Sequence, residues 1–127
     1  MLKPSSLVAA LLFSAVPCAL AAQDGARAGD LAFGADDLAA RLSGQVIEYF
    51  DGSKSRYEAD RRYGYTYTDD GPVWAGVWST GAGSEVCVAF DNGSARCDRM
   101  VENAGRLVLI IADGTRFPVR SEGDILD

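Results

Sequence analysis

Glu85 to Met100, EVCVAFDNGSARCDRM, decides the fold. Val86, Val88 and Phe90 alternate with Glu85, Cys87 and Ala89 at the period of a half-buried strand, and Asp91-Asn92-Gly93 then supplies residues that tolerate a tight turn. With Gly93 in the left-handed position of a three-residue loop, Phe90 faces Ser94, and counting back three pairs sets Cys87 opposite Cys97. Opposed antiparallel residues lie within disulfide reach. The stretch therefore predicts a hairpin stapled by Cys87–Cys97.

From this hairpin the pattern extends in both directions. After Gly44 the period is two, and eight strands are expected: 45–50, 55–59, 63–68, 73–79, 85–90, 95–101, 106–112 and 115–120. Asp51-Gly52, Asp70-Gly71, Asn92-Gly93 and Asp113-Gly114 recur at intervals of 19, 22 and 21 residues, so every second turn is an Asx-Gly turn. No connection is long enough for a parallel crossover, which predicts an antiparallel meander. Eight strands can close into a small barrel, with an open or sandwich-like sheet as the alternative. Arg106 to Ala112, RLVLIIA, is apolar on both faces, and one of them is expected under the N-terminal helix.

Upstream, Ala35 to Leu42 reads as one short helix, with Asp36 and Asp37 in its first turn, Leu38 and Leu42 spaced i,i+4, and Gly44 as a stop. Residues 23–34 are mostly small and polar and are expected to form a flexible leader, leaving 35–127 as a single β-barrel domain. Residues 1–22 carry Lys3, an apolar run from Leu7 to Val16, Pro17 and a small-residue end, the pattern of a secretory signal peptide cleaved after Ala21 or Ala22. Cys18 raises a lipoprotein signal as the rival, against which Pro17 stands. Cleavage removes Cys18 and leaves Cys87 and Cys97 as a pairable set, suited to the periplasm or the exterior.

The chain has 12 basic and 18 acidic residues, a formal net charge of −6, which argues against nucleic acid and anionic membranes. It has no histidine, so Ser-His and Cys-His catalysis are excluded, and no motif calls for a cofactor or a metal. Paired-carboxylate chemistry is the remaining enzymatic option, but the candidate acids lie mostly in turns, and a non-enzymatic role is expected. The candidate binding surface is aromatic: Tyr63, Tyr65 and Tyr67 on one face of a strand, Trp74 and Trp78 on one face of the next with Gly76 between them, where the missing side chain is expected to bend the strand or leave a recess lined by two indoles, and Arg56, Arg61 and Arg62 nearby. The structural reading of the same residues is a filled small core.

Leu42-Ser43-Gly44, Asp51-Gly52, Gly76-Val77-Trp78 and the two flanking cysteines form an order that resembles a group of small exported bacterial proteins of unknown function. The resemblance implies a periplasmic β-rich domain and brings no catalytic residues. In general plan the chain is also similar to membrane-bound C-type lysozyme inhibitors, although it lacks their Ser-Gly-x-x-Tyr loop and later Lys-Gly strand. Gly76-x-Trp78 is similar to the lipocalin signature but falls in the fourth strand. These readings lead to an exported binding module that recognises a partner or small ligand through its aromatic face. The alternative is an inhibitor of a basic envelope-targeting enzyme such as lysozyme.

Overall fold

A computed structural model describes residues 24–126. The expected signal peptide, 1–22 with Cys18, lies outside the described residues. After helix α1 (Ala35–Leu42) the chain forms β1 (Gln45–Tyr49), β2 (Lys54–Tyr57), β3 (Arg62–Thr66), β4 (Trp74–Gly81), β5 (Glu85–Phe90), β6 (Ala95–Asn103), β7 (Arg106–Ile110) and β8 (Arg116–Asp124). Each strand pairs antiparallel with its sequence neighbour, and β8 returns to β1, closing the barrel. Closure excludes the open-sheet alternative. It uses a longer last strand than the sequence suggests, since β8 runs on to pair Asp124 with Gln45.

The hairpin has the expected register. Phe90 N–H donates to the Ser94 carbonyl, Gly93 has φ 89°, and Cys87 pairs with Cys97 in a disulfide. From the hydrogen-bonded Phe90–Ser94 pair, three alternating steps lead to a non-hydrogen-bonded pair, the closely spaced kind, and here the Cα atoms are 4.0 Å apart. Closing so short a loop contributes up to about 3 kcal/mol by restricting the unfolded chain.

In an up-and-down meander alternate turns share one end of the barrel, so the recurring Asx-Gly turns all fall on the same rim. Three of them are built alike. The side-chain Oδ1 of Asp51, Asn92 or Asp113 accepts the backbone N–H two residues on, at 2.9 Å in each case, and the intervening Gly52, Gly93 or Gly114 has φ between 86° and 89°.

The opposite end is closed by α1. Leu38 and Leu42 are fully buried with Ile47, Met100 and Leu107, Thr80 Oγ1 donates to the Ala35 carbonyl at 2.7 Å, and Arg41 grips Glu122 with two hydrogen bonds of 3.0 Å. Leu107 of β7 thus shares the buried cluster of the helix leucines, while Leu109 further along the strand lines the cavity. On the other face of β7, Val108 and Ile110 form a second buried cluster with Val101.

The segment expected as a flexible leader is instead tied to the barrel on that outer side. Leu31 forms a β-bridge with Glu102, the Phe33 N–H donates to Ser84 Oγ at 2.6 Å, and Arg116 holds Asp30 through both guanidinium nitrogens at 2.7 and 2.8 Å. The Arg27 N–H and the Asn103 amide, each at 2.8 Å, complete four hydrogen bonds to the Asp30 carboxylate. These bonds, led by that from Arg116, hold the carboxyl well below its ordinary range against the opposing effect of burial. Because the folded-state value is depressed, the pair stabilises docking fully above the unfolded value near 3.8 and loses that contribution as pH falls through the folded value. Asp30→Asn is therefore expected to speed amide exchange at Leu31 and Glu102 by an amount worth roughly 2 kcal/mol at pH 7, with the gap from wild type narrowing below about pH 4. A gap independent of pH would remove the carboxylate from the argument.

Candidate functional site

Between the helix-closed end and the rim of Asx-Gly turns the barrel opens into a cavity of about 360 Å³. Alternation explains its lining. Once Val86 and Val88 of β5 point inward, their partners Asp98 and Arg96 on β6 must share that face, and the disulfide between them points outward. Likewise Ser55 and Tyr57 of β2, Tyr63 and Tyr65 of β3, and Tyr49 of β1 face in.

The aromatic side chains grade from buried to exposed along the barrel. Tyr49 and Tyr57 are 4% and 3% exposed, Tyr65 is intermediate, and at the rim Trp74 and Tyr67 are 44% and 64% exposed. Their rings meet edge to face: Tyr57 on Tyr63 at 5.2 Å, Tyr63 on Phe90 at 6.0 Å, and Tyr65 on Tyr67 at 4.9 Å. Phe117, Leu109 and Ile111 complete the opposite wall.

Of the residues singled out from the sequence, Tyr63, Tyr65, Tyr67 and Trp74 are brought together around this cavity. Trp78 is not among them. It is 1% exposed, with Nε1 donating to the Glu58 carbonyl at 2.9 Å, Tyr57 edge-on at 5.4 Å and the Arg61 guanidinium 4.3 Å above its ring. The recess is thus lined by one indole, and Trp78 belongs to the core. Arg56 lies on the outward side of β2 between inward Ser55 and Tyr57, paired with Glu58 at 3.1 Å, and Arg62 reaches Asp91 at 3.2 Å.

The cation at the cavity is Arg96, whose Nε donates to Asp98 at 2.8 Å. The sequence reading did not single out either residue. The signal was present, because the disulfide register assigns both to the inward face, but charged residues in a strand are ordinarily placed outward.

The polar groups of the deeper wall are hydroxyls. Ser55 Oγ and Tyr63 Oη lie 2.9 Å apart, and burial pushes the Tyr63 phenol up to about 12. Burial also raises the phenols of Tyr49 and Tyr57, so at neutral pH all three are protonated hydrogen-bond donors. At the rim, hydrogen bonds from Ser53 hold the Asp51 carboxyl below its ordinary range. Among the described residues, Tyr49 Oη is the one buried side-chain nitrogen or oxygen without a hydrogen-bond partner. The nearby Ser55 hydroxyl, which weighs on the Tyr49 phenol, is itself taken by Tyr63, so Tyr49→Phe is expected to leave stability unchanged or raise it by about 1 kcal/mol in urea unfolding. A loss of 2 kcal/mol or more would mean that the hydroxyl is satisfied in solution.

Among the described residues, the one grouping with metal-ligand spacing is Glu85, Cys87 and Cys97, and its two sulfurs are bonded to each other. No helix among the described residues is long and apolar enough to cross a membrane. Comparisons with protein-family models, curated proteins and solved structures gave no match.

Proposed function

We propose that the protein is an exported binding module of the periplasm, taking a small ligand into the mouth of its barrel without transforming it. The observation that carries this reading is the cavity, open at one end and graded from buried tyrosines to an exposed indole. Its volume lies at the lower end of small-molecule sites, which favours a compact ligand over a long chain. The disulfide supports an oxidising compartment. Paired carboxylates of the kind an acid–base enzyme needs do not meet in the cavity, where Asp98 has Arg96 as its neighbour and Asp51 is engaged by Ser53.

A fragment library screened by ligand-observed NMR tests the reading. Bound compounds should shield Trp74 from acrylamide, and Tyr65→Ala should weaken them about tenfold or more while the fold persists. Binding that leaves both unchanged would place the site elsewhere. A second reading, inhibition of a basic enzyme such as lysozyme, is favoured by the exposed acids on the same rim, Asp51, Asp69, Asp70, Asp91 and Asp113. A lysozyme inhibition assay with the intact chain separates the two.

A further inference from the structure

We infer that the ligand of this cavity is a small organic cation, an ammonium group on a short apolar body, whose charged head rests at the mouth between the Asp51 carboxylate and the rings of Tyr65, Tyr67 and Trp74. The inference rests on the binding reading above and adds the chemical class.

The cavity carries one charge that nothing in the fold answers. Asp51 lines its mouth, and its Oδ1 accepts both the N–H and the Oγ of Ser53, at 2.9 and 2.6 Å. Ser53 is neutral, so the negative charge stands, and Oδ2 has no partner among the described residues. The turn does not need that charge, because Asn92 builds the matching turn with Ser94 at the same two distances, 2.9 and 2.6 Å. The other two charged residues of the lining lie further down β6 and neutralise each other, Arg96 Nε donating to Asp98 at 2.8 Å. The net charge of the cavity is therefore negative and sits at the entrance.

The rings beside it suit a cation. Tyr65 is the register partner of Trp74 across β3 and β4, its ring meets Tyr67 edge to face at 4.9 Å, and Trp74 is 44% exposed. The Tyr65 phenol is raised by burial and, to a lesser extent, by the charge of Asp51, which places the carboxylate near that ring. A cation at this corner is attracted by the aromatic faces and by the carboxylate, whereas an anion is repelled by both. One carboxylate among rings fits an organic ammonium and offers a hard metal ion few oxygens. Leu109, Ile111 and Phe117 on the facing wall then accept the apolar body.

The mature, oxidised protein is titrated at neutral pH and physiological salt with three probes of similar size: benzylamine, which is protonated there, benzyl alcohol and benzoate. Benzylamine should bind about tenfold more tightly than benzyl alcohol, the combined worth of a cation–π contact and a half-exposed ion pair, and benzoate should bind most weakly. Asp51→Asn keeps the acceptor of the turn. It should leave urea unfolding and the affinity for benzyl alcohol unchanged and bring benzylamine to within about threefold of benzyl alcohol. Asp113→Asn, an equal change of charge on the same rim outside the cavity lining, should leave all three affinities as they are, because salt screens distant charges. No preference for benzylamine in the wild type, or a preference that Asp51→Asn leaves intact or Asp113→Asn removes as fully, overturns the cation assignment while leaving a ring-binding cavity. If no probe binds but compounds from the fragment library do, shielding Trp74, the ligand class is wrong and the binding reading survives. If neither set binds, both fail.

Discussion

Trp78→Ala is expected to lower the unfolding free energy by about 3 to 5 kcal/mol, whereas Trp74→Ala, four residues earlier on the same strand face, should change it by less than about 1 kcal/mol. The difference comes from depth. Trp78 is sealed beneath the cavity by Tyr57 and Arg61, so truncation leaves a void and strips the Glu58 carbonyl of one of its two donors, the Arg61 N–H being the other. Trp74 stands at the rim, nearly half exposed, and its loss removes ligand contact area with little packing. For a domain whose total stability is on the order of 5 to 15 kcal/mol, the first change threatens folding and the second does not. Urea unfolding of the two variants checks the division, and ligand titration should show the reverse order for Trp74→Ala. Similar losses of stability at both positions would merge the core and the site that the structure separates.

Alternation locates a residue on a face but gives no depth along the barrel axis, which is why Trp74 and Trp78 read alike in the sequence. What could be read was local. The three-residue loop at Asp91-Asn92-Gly93 fixes the Cys87–Cys97 register by counting, and the recurrence of Asx-Gly at every second turn already implies a rim where those turns gather. The leader was illegible for the opposite reason. Its anchor, Asp30, finds Arg116 86 residues away, and no pattern within 23–34 announces that partner. Arg96 and Asp98 fall between these cases: local register assigns them inward, yet their charge argues outward until each is seen to neutralise the other.

Gly76→Ala is expected to destabilise the barrel by roughly 2 to 4 kcal/mol, toward the upper end of what overpacking costs. The sequence suggested that this glycine bends the strand or leaves a recess between two indoles. The structure gives it a different task, close approach of β4 to β5, since a methyl at this inward, buried position would run into the Ala89 carbonyl and come within 3.0 Å of Phe90 Cα. Both are backbone atoms of the facing strand, so relief requires β5 to move. Such a shift displaces Phe90, which packs on Tyr63, and through the β5–β6 ladder the inward Arg96 opposite Val88. Stability and ligand affinity should therefore fall together. Gly123→Ala in β8 supplies the control, because a methyl there meets nothing within 4 Å and should be nearly neutral. If the two substitutions had equal small effects in urea unfolding, the tight β4–β5 approach would not be what Gly76 provides.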